Sequence, residues 1–154
     1  LPADRPYKIS WTRPADLHCT LLFLGNVDDE PHLVTAMHDV AAQLPATTLR
    51  LAGSTHWLGR NSLAVPLHGA DELGTAFSQR MGQLSLDRQV GRRAFHGHVT
   101  IARVRPLPRA EDDHLTQHTV EPVTFQAGHV HLLCNVTEAN GPRYRVVSSA
   151  PLTG

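Results

Sequence analysis

Residues 15–25 read Ala15-Asp16-Leu17-His18-Cys19-Thr20-Leu21-Leu22-Phe23-Leu24-Gly25, and residues 93–103 read Arg93-Ala94-Phe95-His96-Gly97-His98-Val99-Thr100-Ile101-Ala102-Arg103. Each stretch holds a histidine and, two residues later, a threonine within an apolar run, which is typical of a buried strand. We therefore predict strands over Leu17–Leu24 and Phe95–Val104. Because residues i and i+2 of a strand share a face, each histidine projects with its threonine. If the two strands lie side by side, four polar groups converge on one cleft.

A third copy of the pattern, His114-Leu115-Thr116, has different surroundings. It follows three acidic residues and precedes Gln117-His118. This context predicts a loop or the start of a helix, so we exclude the third copy from the candidate site.

The remaining segments alternate between strand and helix patterns. Apolar residues at helical spacing predict two helices, over Pro31–Leu44 and Ala70–Leu86. Alternating or short apolar runs predict further strands over Lys8–Trp11, Thr48–Ala52, Asn61–Leu67, Val123–Val136 and Arg143–Val147, with a turn at Asn140-Gly141-Pro142. This order predicts an α+β protein with two pseudo-symmetric lobes of antiparallel sheet, helices on the outside and a cleft between them.

The composition limits the partners of the protein. Lys+Arg and Asp+Glu are both 14, so the formal net charge is zero, which argues against a protein that grips long nucleic acids by neutralising phosphates. No apolar run approaches the length of a membrane span. Cys19 and Cys134 lie in apolar runs and are predicted to be reduced core residues of a cytoplasmic, monomeric protein.

Paired histidines with neighbouring hydroxyls suit phosphoryl chemistry without a metal or another cofactor. One imidazole can take a proton from water while the other protonates a leaving ribose oxygen. The threonine hydroxyls can donate hydrogen bonds to phosphate oxygens. A lone histidine in an apolar strand is more often structural, and it is the duplication of the pattern that favours a catalytic pair.

The two quoted stretches resemble the motifs of the two-histidine (2H) phosphoesterases, specifically the bacterial RNA 2′,3′-cyclic phosphodiesterases, which are LigT-like and also called 2′-5′ RNA ligases. The spacing of 80 residues between His18 and His98 and the segment Gly141-Pro142-Arg143-Tyr144 fit this resemblance. The resemblance implies hydrolysis of an RNA-terminal or nucleoside 2′,3′-cyclic phosphate to a 2′-phosphate, with reversible 2′-5′ ligation as a related reaction.

The resemblance also implies the residue roles. His18 and His98 are the catalytic pair, and Thr20 and Thr100 hold the phosphate. We expect His18 to be the acid and His98 the base in the hydrolysis direction, and these roles exchange in the ligation direction. Arg103 and Phe23 are expected to bind substrate, Arg103 through the phosphate and Phe23 by stacking on the base. Regular alternation along the strand puts Arg103 on the face opposite His98, so it reaches the site only if the strand twists or ends there.

One departure from the family concerns the start of the chain. The family has a strand and a helix before its first motif, and only 17 residues precede His18 here. We expect residues 1–154 to form a single two-lobed phosphoesterase domain that lacks this strand and helix.

Three alternatives stay open at this stage. His96, His98, His129 and His131 could bind zinc. The protein could keep the fold only to bind nucleotides or RNA without catalysis. The substrate could be a 2′-5′ oligonucleotide or a small cyclic phosphate, with Arg92 and Arg93 either contacting an RNA backbone or forming a solvated loop.

Overall fold

The computed structural model describes residues 7–83, 95–108, 113–138 and 141–154. Arg92, Arg93, Asn140, and Leu84–Leu86 of the second predicted helix lie outside these residues. The α-helices are α1 (Glu30–Ala41) and α2 (Ala70–Gln83), and a 3₁₀ turn covers Pro14–Asp16. The strands in the described part are β1 (Lys8–Trp11), β2 (Thr47–Ser54), β3 (His56–Leu58), β4 (Ser62–His68), β5 (His98–Arg105), β6 (Thr119–Ala127), β7 (His129–Glu138) and β8 (Gly141–Pro151).

Both predicted helices are present, and local signals explain where they begin. Asp29 caps α1, since its side chain accepts a hydrogen bond from the His32 N–H at 3.1 Å, and Pro31 occupies the first turn. Asp71 and Glu72 lie in the first turn of α2, where negative charge is favourable.

The chain divides into two compact units, each assembled from three separate segments. Unit 1 comprises residues 1–20, 50–68 and 97–124, and unit 2 comprises residues 21–49, 69–96 and 125–154. In unit 2, α1 and α2 pack with the β7–β8 hairpin around one apolar cluster. The buried members of this cluster are Leu33, Ala36, Met37, Val40, Ala41, Leu44, Leu73, Phe77, Met81, Val130, Ala150 and Leu152.

The larger sheet is the element that carries the candidate site. Its strand order is β1-β5-β4-β2-β6, with β3 also paired to β4. The resolved pairs of β1 with β5, β4 with β5, and β4 with β2 and β3 are all antiparallel. One face is tightly packed, as Leu63, Val65, Ala102 and Val104 are at most 1% exposed. The predicted α+β class is confirmed.

The strand predicted over Leu17–Leu24 is wrong. These residues form no strand, and the described residues supply no ladder partner for them. Their apolar character has another cause, because Leu21, Leu22 and Leu24 pack against the apolar cluster of unit 2. The backbone is held instead by side-chain contacts such as the bond from Ser78 Oγ to the Leu21 carbonyl at 3.3 Å.

Several smaller expectations also need correction. The strand β3 was not foreseen, and the stretch predicted as one strand over Val123–Val136 is divided between β6 and β7. Gly141 and Pro142 pair with β7 as part of β8 rather than forming a turn. Cys19 and Cys134 form no disulfide, but both are only half-buried and so are not core residues. None of the described helices is long and apolar enough to cross a membrane.

Candidate active site

His98 and Thr100 lie on β5, where the second motif forms the predicted strand. The strand begins at His98, three residues later than predicted. His98 stands opposite Pro66 and Thr100 opposite Ala64 of β4. Directly opposed residues of an antiparallel pair share a face, and residues 64 and 66 share a face by alternation. His98 and Thr100 therefore project from the same side of the sheet, and both are half-buried.

A β-bulge brings Arg103 to that same side. Thr100 pairs with Ala64, but Ala102 pairs with Leu63, so Ile101 is an extra residue in β5. The bulge reverses the alternation, and Arg103 stands opposite Ser62. Because Ser62 and Ala64 share a face, so do Arg103 and Thr100, and the expectation that Arg103 lies on the opposite face is wrong.

The contacts of Arg103 agree with this register. Its Nη1 donates to Ser62 Oγ at 3.3 Å and lies 3.5 Å from Asn61 Oδ1. Both are weak bonds to neutral groups at the limit of hydrogen-bond length. The side chain is exposed, so the guanidinium keeps donors that can reach an anion.

His18 is held by the 3₁₀ turn that precedes it. Its Nδ1 lies 2.7 Å from the Asp16 carbonyl oxygen. A carbonyl oxygen only accepts hydrogen bonds, so Nδ1 carries the hydrogen and Nε2 is the nitrogen that exchanges protons. Asp16 itself is fixed, because its buried carboxylate accepts from Arg13 Nε at 2.9 Å.

The segment leading to His18 starts beside Thr100. The Thr12 N–H donates to the Ile101 carbonyl at 2.9 Å, and Thr12 Oγ1 donates to the Thr100 carbonyl at 3.2 Å. Since β1 runs antiparallel to β5, the chain passes Thr12 in the direction of the end of β5 that carries His98. His18 and Thr20 belong to the same unit as β5, and Thr20 is exposed.

Phe23, His114, His129 and His131 are the remaining candidate residues. Phe23 belongs to unit 2 and is 83% exposed. The third histidine–threonine copy at His114 is in a loop, as predicted. His129 and His131 stack on the surface of β7 with ring centroids 6.2 Å apart, and His131 Nδ1 lies 2.7 Å from Ser149 Oγ.

The zinc alternative involves His96, His98, His129 and His131. His96 Nδ1 lies 3.8 Å from Asp71 Oδ2. Among the described residues, no group of three or more His, Cys, Asp or Glu side chains could hold a metal ion.

Sequence reasoning missed two residues that position the site, Arg13 and Asp16. A signal for them exists, because Pro14-Ala15-Asp16 has a proline in a first turn and an acid three residues after an arginine. The bulge at Ile101 had no comparable signal, since bulges depend on the pairing strand as well as on the bulged residue.

The sequence matches the model of a known protein family over most of its length. The family model of the 2′-5′ RNA ligase superfamily matches residues 6–137. The chain belongs to this superfamily. The predicted relationship to the LigT-like 2H phosphoesterases is thereby confirmed, and with it a phosphoesterase- or ligase-type enzyme. None of the curated proteins matches the chain in sequence.

Several solved structures have the same fold as this protein, although their sequences are only distantly similar. The protein TT0787 of Thermus thermophilus is 22% identical with a TM-score of 0.71, covering 95% of this chain and 83% of its own. E. coli LigT complexed with 3′-AMP is 21% identical with a TM-score of 0.67, covering 94% and 81%. A structure described as a phosphoesterase is 21% identical with a TM-score of 0.63, covering 90% and 78%. These matches confirm the predicted LigT-like fold.

Proposed function

We propose that the protein hydrolyses a 2′,3′-cyclic phosphate at an RNA 3′ end to a 2′-phosphate, using His18 and His98 as an acid–base pair without a metal. The observation that carries the proposal is the common face of His98, Thr100 and Arg103 on β5. A proton acceptor, a hydroxyl donor and a fixed positive charge on one face of one strand are suited to a phosphodiester anion.

The proposed reaction is an in-line displacement at phosphorus. His98 removes a proton from water as the water oxygen bonds to phosphorus. The bond from phosphorus to the ribose 3′ oxygen breaks, and His18 gives that oxygen a proton from Nε2. The phosphate stays on the 2′ oxygen as a monoester whose new P–OH group keeps the second hydrogen of the water. Exchange with solvent then removes the proton from His98 and returns one to His18. Reversal of these steps is the related 2′-5′ ligation.

The bond from His18 Nδ1 to the Asp16 carbonyl supports the role of His18. Because Nδ1 donates to the Asp16 carbonyl, we assign the proton transfer to Nε2. A fixed tautomer and ring orientation raise the fraction of molecules ready to react. The Arg13–Asp16 ion pair then counts as a positioning element, since it acts on the reaction only through His18.

Charge on the substrate supports the roles of Thr20, Thr100 and Arg103. The phosphate gains negative charge during the reaction, and donors directed at its oxygens lower the barrier most when water is excluded. Solved structures of E. coli LigT, which has this fold, are described with 3′-AMP, ATP, NADP+ and phosphate. Ligands that all carry phosphate are consistent with a phosphate-binding site here.

The proposal extends to the whole chain. We propose that residues 1–154 act as one phosphoesterase domain, with an RNA end or a nucleoside 2′,3′-cyclic phosphate as substrate. The predicted stacking role of Phe23 is compatible with its exposure, as an exposed aromatic ring offers a face to a base.

The test compares the wild type with His18→Ala and His98→Ala on nucleoside 2′,3′-cyclic phosphates, with products separated by chromatography. Each replacement is expected to lower kcat by about 10²–10⁴-fold, the usual contribution of one proton transfer. His129→Ala is the matched control, since His129 is an exposed histidine of β7 to which no step of the proposed reaction is assigned, and its loss should leave kcat unchanged.

Three further measurements sharpen the test. The product should carry a 2′-phosphate by phosphorus NMR, the rate should resist chelators, and kcat/KM should be bell-shaped with pH because one histidine must be neutral and the other charged. A wild type without activity, or variants as active as the wild type, would exclude the proposed reaction.

A further inference from the structure

Unit 1 carries an excess of positive charge that the zero net charge of the whole chain conceals. In its described residues the cationic side chains are Lys8, Arg13, Arg50, Arg60, Arg103 and Arg105, and the carboxylates are Asp16, Asp113 and Glu121. Asp16 is already paired with Arg13. Asp113 accepts hydrogen bonds from Trp57, Leu115 and Thr116. Among the described residues of unit 1, little negative charge is therefore left to neutralise the other cations.

Two of these cations face each other on the surface that carries His98. Lys8 of β1 stands directly opposite Arg105 of β5, and Ser10 stands opposite Arg103. Arg103 and Arg105 alternate without a further bulge, so Lys8 and Arg105 project from the same face as Thr100 and His98. Both side chains are exposed, and neither forms an ion pair within the described residues.

Like charges directly opposite each other in a strand pair destabilise a sheet. Lys8 and Arg105 break this local rule, and no neighbouring carboxylate in the described part of the chain compensates for it. Departures from local rules without a compensating contact are expected at functional sites. An anion bound between the two side chains would remove the repulsion.

The spacing along the strands suits a chain of phosphates. Because the bulge residue Ile101 is unpaired, Arg103 lies two paired positions from Thr100 and the Lys8–Arg105 pair lies four. At about 3.3 Å per paired position, these separations are about 7 Å and about 13 Å along the sheet. These steps are comparable to those between successive phosphates of an extended single strand. A mononucleotide has no phosphate that could reach the far pair while its cyclic phosphate lies at Thr100.

We propose that Lys8 and Arg105 form a second anion subsite, which binds an upstream phosphate of an RNA strand whose 3′ end lies at Thr100. The subsite makes the protein selective for oligonucleotides over mononucleotides. This inference rests on the proposed function for the position of the reacting end. It narrows the substrate from an RNA end or a nucleoside cyclic phosphate to an oligonucleotide that carries an upstream phosphate.

The kinetic test uses Lys8→Gln, Arg105→Gln and the double variant, with a pentaribonucleotide and a nucleoside that both end in a 2′,3′-cyclic phosphate. We expect kcat/KM for the pentanucleotide to fall about 10-fold in the double variant at low salt, with the nucleoside reaction within about two-fold of wild type. Arg145→Gln is the matched control, because Arg145 is an exposed arginine of β8 that is not part of the proposed subsite. An equal loss on both substrates, or no loss on either, would overturn the inference.

A binding measurement separates this inference from the proposed function. Fluorescence anisotropy of a labelled pentaribonucleotide with a 2′-phosphate end requires no turnover. The slope of log affinity against log salt should become shallower by about 0.7 for each of the two side chains removed. If this holds while the wild type hydrolyses neither substrate, the subsite stands and the proposed reaction fails. If hydrolysis occurs but the slope is unchanged, the subsite alone fails.

Lys8 permits a direct check, because it is the only lysine in the chain. Acylation of its amine by an N-hydroxysuccinimide ester, read from the mass of the peptide that contains it, should slow at least three-fold with saturating pentanucleotide. The nucleoside alone should not protect it. Equal protection by both ligands, or none by the pentanucleotide, would contradict a contact between Lys8 and an upstream phosphate.

Discussion

Replacement of Asp113 by asparagine is expected to destabilise unit 1 in a way that depends on pH. The carboxylate of Asp113 holds the loop before β6 against β3. Its Oδ2 accepts from Trp57 Nε1 at 2.8 Å and from Thr116 Oγ1 at 2.9 Å, and its Oδ1 accepts from the N–H groups of Leu115 and Thr116 at 2.9 and 3.2 Å. Asparagine keeps the shape of the side chain and one acceptor oxygen.

The loss in the free energy of unfolding depends on which hydrogen bonds of Asp113 the asparagine can still form. The asparagine oxygen can still accept from the two backbone N–H groups, and the hydroxyl of Thr116 can rotate to accept from the new amide. The indole N–H of Trp57 cannot adapt, because it only donates and would face another donor. A half-buried donor left without an acceptor costs about 1–3 kcal/mol, and we expect a loss of this size in the free energy of unfolding at pH 7.

The pH dependence has a definite sign. Burial raises the pKa of Asp113, but the four hydrogen bonds from Leu115, Trp57 and Thr116 outweigh it and lower the pKa below the ordinary 3.8. A carboxyl with a lowered pKa in the folded state stabilises the protein above about pH 4, and this contribution is lost as the pH falls through the lowered value. The difference between wild type and Asp113→Asn should therefore shrink towards acid pH.

Urea denaturation between pH 3 and 7 measures both effects, and Trp57→Phe completes a double-mutant cycle. If the indole contact carries the loss, Asp113→Asn should cost less in the Trp57→Phe background by about 1 kcal/mol. Asp28→Asn, at an exposed aspartate in unit 2, is the control and should change stability by less than about 0.5 kcal/mol. A constant difference across the pH range, or full additivity in the cycle, would refute the reasoning.

Two further predictions concern backbone geometry and the orientation of His18. Gly69→Ala should destabilise by at least about 1 kcal/mol more than Gly59→Ala in urea denaturation. Both glycines have positive φ, but only at Gly69 would the new Cβ lie 2.6 Å from a backbone oxygen; equal losses would contradict this. Arg13→Gln, which removes the ion pair with the Asp16 carboxylate, should lower kcat several-fold with little change in KM and weaken the Nδ1–H signal of His18 in nitrogen NMR. An unchanged NMR signal would contradict a positioning role for Arg13.

The helices and most strands could be predicted because their signals are local. The acid and proline at the start of α1 and the apolar spacing of α2 act within a few residues and need no partner. The segment Leu17–Leu24 could not be read in this way. An apolar run indicates burial, but whether it pairs in a sheet or packs on helices depends on distant residues, and here Leu21, Leu22 and Leu24 contact the cluster of unit 2.

The candidate site was predictable in composition but not in geometry. The duplicated pattern identified His98 and Thr100, and their common face follows from strand alternation alone. Arg103 was assigned to the wrong face, because alternation fails at a bulge and the extra residue is visible only in the pairing of β5 with β4. The contact from His18 to the Asp16 carbonyl depends on a 3₁₀ turn, whose exact extent local sequence signals do not determine.

The bulge at Ile101 allows one strand, β5, to bury apolar side chains in its second half and to present polar side chains on the opposite face in its first half. Ala102 and Val104 are fully buried, so their face of β5 must lie against the core. In a regular strand His98 and Thr100 would share that face, because all four positions are even-numbered, and their polar groups would be buried at considerable cost. One extra residue lets the second half of β5 anchor the sheet while the first half presents the histidine and threonine. The same residue brings Arg103 and Arg105 to the polar side, so the proposed phosphate sites along this face have a common structural origin.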